Sequence, residues 1–386
     1  MKNYDVIVIG VGSMGSASCF WLANRGYKVL GLEQFDIPHE MGSHTGQSRI
    51  IRKAYFEHKD YVPLLQRAYQ NWQLLEKQTG TRVYYKTGLI YHGPSTHEII
   101  NGVIKTATLN DIPLDIVNSQ QKVSSFPQFT TPQNFECLYE PDAGFLRPEL
   151  AVTLYKVEAI NAGAEIHTNE SVLEWNKENN GIKVTTDKNI YYSNKLVITA
   201  GAWAGRLMPE LNSSLRVTRQ IIIWVKPKDV KLFNAINFPC WIIADDKIKG
   251  VLYGFPYLTK ENFGEPEGMK FALHHPADET NPDHVNRNIS KEEIATLINQ
   301  VAEYIPAVAD AEIVAAKTCL YTNTADENFI IDHLPGYDKD VTIACGFSGH
   351  GFKFVSVFGE IIADLAMNGK TELPVDFLRL ERFEKH

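Results

Sequence analysis

The chain has 386 residues, 44% of them hydrophobic and 22% charged, an ordinary globular composition long enough for two or three folding units. Its net charge is −8, from 46 acidic and 38 basic residues, with no long run of Lys or Arg, which argues against a nucleic-acid partner. No apolar stretch approaches the roughly 20 residues that cross a bilayer, Val6 to Ile9 is too short for a signal-peptide core, and five scattered cysteines without a CxxC pair support neither a zinc site nor a disulfide framework, so a cytosolic, metal-free protein is expected.

Val6 to Ile9 is a β-branched run, as a strand buried on both faces requires. Gly10-Val11-Gly12-Ser13-Met14-Gly15 follows, then a helical pattern from Ser16 to Arg25 that Gly26 stops, then a second strand from Lys28 to Glu33. Strand before, helix after and an acid about 20 residues on make this glycine triplet a dinucleotide fingerprint. Gly10 allows the tight turn, Gly12 the approach of a pyrophosphate to helix N–H groups, and Gly15 close helix–strand packing, while Glu33 accepts from ribose hydroxyls. The motif does not separate FAD from NAD.

Further along, the pattern predicts a helix over 58–76, a strand over 83–92, a turn at Asp142-Ala143-Gly144 and a helix over 147–162 ended by Gly163. Short strands follow to Thr199, with Asn179-Asn180-Gly181 as a hairpin turn, and then Leu196 to Ala200 running into a glycine turn. Strands are expected over 216–225, 251–255, 269–274 and 341–345. Ser290 and Glu293 form a capping box for a helix reaching about Tyr304, and an apolar helix spans 352–366. No repeat or low-complexity linker is visible, so a second domain is inserted into the nucleotide domain rather than strung after it.

Three clusters place charge unexpectedly. Arg49 and Arg52 stand three apart in GSHTGQSRIIR and share a face if that segment makes a helical turn. In GFSGHGFKF, Lys353 opens an apolar helix against its dipole, which an anion nearby would justify. Lys270 interrupts the strand-like MKFALH. Taken singly these read as solvated charges and turns. Cys19, Cys137, Cys240 and Cys345 read as buried, reduced filler. Cys319 lies apart in KTCLYT, a polar stretch that reads as exposed.

Over essentially its whole length the chain resembles the monomeric sarcosine oxidase and N-methyltryptophan oxidase family, within the glycine-oxidase-like flavin amine oxidases. The likeness rests on GVGSMG, GSHTGQSRIIRKAY, YEPDAGFLRPE, VITAGAW, KTCLYT with DENFIID behind it, and GFSGHGFKF. It implies a mixed α/β fold: an FAD-binding Rossmann-like domain assembled from residues 1–85, 150–215 and 315–386, and a substrate domain of 86–149 and 216–314 with a large antiparallel or mixed sheet. It implies FAD bound covalently through Cys319. Gly349, Gly351, Phe352 and Lys353 would bring helix N–H groups to the reduced ring's negative charge, and Ser43, Ser48, Arg49, Val172 and Gly201 would join the cofactor site.

By the same likeness Arg52 and Lys353 hold a substrate carboxylate, with Tyr321 close by. Tyr253 and His274 line the pocket beside Arg49, and Lys270 is the oxygen-activating lysine. The implied reaction oxidises the C–N bond of a secondary amino acid to an imine, which water hydrolyses, while O2 becomes H2O2; a monomer is implied. The chain departs from the family at Thr45-Gly46-Gln47-Ser48, where His-Gly-Asp-Thr is usual; Gln47 cannot carry the acid's charge, so the local network changes. Phe238 to Ile243 and the acidic loop Leu258 to Glu267 also differ, and the substrate side chain stays open between sarcosine, N-methyl aromatic, cyclic and fructosyl amino acids. An NAD-dependent dehydrogenase, a non-catalytic flavin-binding protein and a flavin dehydrogenase with another electron acceptor are the rival readings.

Overall fold

A computed structural model describes residues 3–117, 124–275 and 277–383. Its first sheet gathers segments that lie far apart in the chain. Five parallel strands run in the order Glu165–His167, Val29–Leu32, Asn3–Ile9, Ile190–Ile198, Val341–Cys345. Ile330–His333 closes this edge antiparallel to Val341–Cys345. The long strand Ile190–Ile198 pairs through its first half with the hairpin Val172–Glu178 and Gly181–Thr186, and through its second half with Val341–Cys345.

The alternation of the opening strand divides the core. Val6 and Val8 face helices Ser13–Asn24, Tyr61–Thr79, Pro148–Asn161 and Val355–Asn368, whereas Ile7 and Ile9 pack on the other side with Leu30, Leu196 and Ile343. A strand buried on both faces needs an unbroken apolar run, which these residues supply. The helices end as their glycines dictate: Gly80 and Gly369 stand in the left-handed region at φ +65° and +71°. Both hydrogen bonds of the Ser290–Glu293 capping box are present, and that helix spans Lys291–Ala302.

The second sheet has eight strands, in the order Glu312–Asn323, Arg216–Lys226, Gly268–His274, Val251–Leu258, Cys240–Ile243, Leu89–Pro94, Phe135–Glu140, Asp115–Ile116. It is antiparallel except where Cys240–Ile243 runs parallel to Leu89–Pro94. The mixed α/β architecture is thus the one expected, with local corrections. The strand expected over 83–92 is two strands, because Gly88 at φ +75° turns the chain where a Cβ would meet the Tyr139 ring. Tyr84–Tyr85 joins a small third sheet with Arg49–Ile51 and Gly144–Leu146. The segment bearing Arg49 is therefore a strand, not a helical turn, and Arg49 and Arg52 do not share a helix face. The apolar helix expected from Phe352 begins as a 3-10 turn, Phe352–Phe354, before Val355–Asn368.

Candidate active site

At the carboxyl end of the parallel strands a long cavity opens above the glycine turn. Gly10 has φ +86°, and a Cβ there would lie 2.7 Å from the Thr199 carbonyl oxygen; one on Gly15 would lie 1.9 Å from the Gly10 carbonyl oxygen. Around Gly12 a Cβ would meet only His44, at 3.7 Å. The three glycines thus divide as turn, open cradle and packing contact. Glu33 is buried beside them and accepts from the Val11 and Phe35 N–H groups. Burial pushes its carboxyl up to about 7 against those hydrogen bonds.

Gly10, Gly12, Glu33, Ser43, Val172 and Gly201 line this first cavity, and it continues past Arg49 to Tyr321, Gly349, Gly351 and Phe352. Gly349 stands at φ +76°, and a Cβ on it would lie 2.2 Å from the Tyr321 ring, so only glycine permits this approach. Three further linings, His44, Thr199 and Trp203, were not singled out from the sequence. Thr199 and Trp203 lie inside the VITAGAW motif and His44 inside GSHTGQSRIIRKAY, and those motifs were the signal that could have found them.

A second cavity of about 820 Å³ abuts the first. Arg49, Tyr321, Gly349 and Phe352 line both, so these residues form a shared wall. Beyond it stand Arg52, Tyr253, His274 and Lys353. Tyr253 packs in one cluster with Tyr321, and the Tyr321 hydroxyl lies 3.5 Å from His274 Nδ1. Burial and the Lys353 charge lower His274 to about 4, leaving the imidazole neutral. Lys353 donates to the His350 carbonyl at 2.7 Å, and burial and Arg52 lower its ammonium to about 7. Arg52 donates to the Ala54 carbonyl and to Glu57, each at 2.6 Å. Arg52 and Lys353 therefore face one cavity, and the Glu57 carboxylate is paired with Arg52.

Four sequence-assigned residues, Gly15, Ser48, Lys270 and Cys319, line neither cavity. Lys270 is 1% exposed, with its ammonium on the Gly46 and Ser48 carbonyls and 4.1 Å from the Phe255 ring centroid. Burial first, then Arg49, depress its pKa well below the usual lysine value. Cys319 is 2% exposed, so KTCLYT is interior rather than exposed. Strand Arg216–Lys226 covers it in register, with Gln220 opposite Cys319. Burial raises the Cys319 thiol pKa, and Arg49, Lys270 and Arg287 oppose that rise. The hydroxyls of Ser48 and Thr322 are buried without a hydrogen-bond partner among the described residues. An unsatisfied buried hydroxyl costs about 1–3 kcal/mol, and Thr322 lines the first cavity, so a polar ligand group there relieves a cost the fold otherwise carries.

A family model described as "FAD dependent oxidoreductase" matches residues 5–365. The chain belongs to the FAD-dependent oxidoreductase family. It is 38% identical to a monomeric sarcosine oxidase of Streptomyces avermitilis, over 97% of this chain and 96% of that one. It is 33% identical to an N-methyl-L-tryptophan oxidase of Yersinia pestis, over 99% and 100% of the two. Among solved structures, NikD, an unusual amino acid oxidase essential for nikkomycin biosynthesis, superposes with a TM-score of 0.85 at 22% identity, covering 98% of this chain and 98% of that one. L-Proline dehydrogenase from P. horikoshii gives 0.84 at 24%, covering 99% and 98%. These two likenesses concern the fold. The first cavity fits the family's cofactor: a glycine cradle at the helix N-terminus, a buried acid beside it and an orphan hydroxyl at the far end.

Proposed function

We propose that this member of the FAD-dependent oxidoreductases is an oxidase of N-methyl or related secondary amino acids, which passes electrons to O2 and releases H2O2. The observation that carries this reading is the pairing of Arg52 and Lys353 in a cavity that shares a wall with the nucleotide cavity. A carboxylate between two cations leaves the adjacent C–N bond toward the shared wall. The volume of the second cavity exceeds what sarcosine fills, which favours a substrate with a side chain of its own.

FAD supplies the two-electron acceptor. Gly10, Gly12 and Glu33 hold its nucleotide end, and Ser43, Val172 and Gly201 its middle. Arg49, Gly349, Gly351 and Phe352 would surround the ring end; Ser48 and Cys319 line neither cavity, and the likeness to the family assigns Ser48 to the ring's surroundings and the Cys319 sulfur as the covalent tether. Arg52 and Lys353 bind the substrate carboxylate, Tyr321, Tyr253 and neutral His274 shape the amine's surroundings, and Lys270 holds a positive charge for O2 reduction. The amine loses two electrons and two protons to become an imine. Water then cleaves the imine to an amine and an aldehyde, and the electrons and protons leave in H2O2. The flavin domain is drawn from residues 1–85, 150–215 and 315–386; the first sheet supports this by gathering strands from 3–32, 165–198 and 330–345, whereas strand Glu312–Asn323, across the 315 boundary, lies in the second sheet. The protein works as a monomer in the cytoplasm.

Acid precipitation tests the tether. The wild-type pellet is expected to be yellow, and Cys319→Ala is expected to release its flavin to the supernatant. Yellow supernatant from both proteins refutes the covalent link while leaving FAD. Peroxide formation with sarcosine and with N-methyl-L-tryptophan then tests the reaction; reduction of the enzyme without peroxide in air would replace O2 by another acceptor.

A further inference from the structure

The ammonium of Lys270 and the guanidinium of Arg49 rest on one short turn. Lys270 donates to the carbonyls of Gly46 and Ser48, and Arg49 to those of Ser43, Thr45 and Ser48. Ser48 N–H returns to the Gly46 carbonyl at 2.7 Å around Gln47, whose φ is +67°. That is a γ-turn of the strained hand. A non-glycine residue held there needs its surroundings to impose the conformation, and such strain gathers at functional sites.

The side chain of Gln47 imposes it. Its Nε2 donates to the Gly264 and Pro266 carbonyls at 3.1 and 3.0 Å, and its Oε1 accepts from Trp224 Nε1 at 3.1 Å. All three partners fix the amide's orientation, since the flipped amide would set oxygen against two carbonyls and NH2 against an indole N–H. A carboxylate would meet the same two carbonyls, which explains why an amide stands here. Behind the turn, Glu149 accepts from Gly46 N–H at 2.6 Å and Gln47 N–H at 3.0 Å. Its charge supports the Lys270 ammonium against burial and Arg49; the thiols of Cys319 and Cys240 are the other titratable groups facing it.

We propose that Gln47 is a positioning residue that fixes the cradle of Lys270 and Arg49, and that Glu149, which holds the Gly46 and Gln47 N–H groups of the same turn, is the countercharge to the Lys270 ammonium on that turn's carbonyls. This rests on Lys270 being the O2-side cation. The turn places its carbonyl dipoles before any electron moves, so the ammonium needs no reorganisation when anionic oxygen species form.

The test uses holoenzyme reduced with dithionite and mixed with O2, so that no amino-acid substrate is involved. Lys270→Met is expected to slow reoxidation by about 100-fold or more, and Gln47→Met by about tenfold. The double variant should be no slower than Lys270→Met alone, because both changes act on one charge. Glu149→Gln should move the alkaline fall of the reoxidation pH profile to lower pH by on the order of one unit. Slow Lys270→Met with wild-type rates in Gln47→Met and an unmoved Glu149→Gln profile overturns the cradle and leaves the O2 reading intact. Multiplying defects in the double variant reduce Gln47 to a structural residue and equally overturn it. An unchanged Lys270→Met removes the O2 reading itself. If Gln47→Met does not retain flavin, the Glu149→Gln profile decides alone.

Discussion

Lys353 carries its charge only conditionally. Burial first and then Arg52 lower its pKa to about 7, with Glu57 opposing, and His350, His274 and Tyr55 are further titratable neighbours. Below that value the free enzyme presents two cations to a carboxylate; above it, Arg52 alone, since a guanidinium does not titrate. A bound carboxylate favours the ammonium, so binding above pH 7 takes up a proton. The dissociation constant of a carboxylate that is not oxidised, such as propionate, is therefore expected to rise about tenfold per pH unit above pH 7 and to level off below it. Lys353→Met should weaken binding at pH 6 and abolish the slope. A constant that stays flat from pH 6 to 9 in the wild type contradicts this. The lysine was visible in the sequence as a charge opposed to a helix dipole; its titration was not, because burial and Arg52, brought from 301 positions away, set it. Cys319 was likewise singled out, while its surroundings were misread: a strand covered on both faces by distant segments tolerates Thr and Tyr that pattern alone assigns to solvent.

At the scale of elements, what was legible depended on whether local chemistry decided the outcome. The capping box at Ser290 and the glycine stops at Gly26 and Gly163 act within one turn of backbone, and the structure has them, with Gly26 and Gly163 at φ +83° and +100°. The turn at 43–48 acts through partners 100 or more positions away, among them Glu149, Trp224, Gly264 and Lys270, and no local rule predicts it. The loop at 346–352 lies between these cases: its glycines announced a tight turn, and the reason for Gly349 appears only against Tyr321. Gly349→Ala must either move Tyr321 from the shared wall or shift the turn, and it also leaves alanine at φ +76°. A loss of about 1–3 kcal/mol in stability is expected from overpacking, together with slower reduction by substrate, because Tyr321 contacts both cavities. Wild-type stability and wild-type reduction rate together would show that the wall yields without consequence.

At the scale of the whole molecule, the fingerprint at 10–15 predicted its own strand–helix–strand unit, and the apolar run at 341–345 predicted a buried strand. Neither stated that the two would lie in one sheet with Ile190–Ile198 between them. That ordering follows from which faces remain apolar after each pair forms, a property of the assembled sheet. Its consequence is a first cavity walled by four stretches, 9–49, 170–207, 320–322 and 346–352. FAD bound there would touch all four stretches, which already meet through the sheets and through contacts such as Ser43 Oγ on the Leu320 carbonyl and Gly349 against Tyr321, and a ligand that binds the native state alone raises stability by RT ln(1 + [L]/Kd). With a covalent tether that gain does not depend on free FAD. Cys319→Ala, stripped of flavin, is therefore expected to unfold at a lower temperature than wild type, by several degrees for a chain of this size, and to recover as FAD is added, with a midpoint that climbs with the logarithm of FAD concentration. Added FAD should leave the wild-type midpoint unmoved. A stripped variant that melts with the wild type would mean that the protein alone holds the four walls together. A wild-type midpoint that climbs with FAD would mean that its flavin dissociates, and would count against the tether independently of any precipitation.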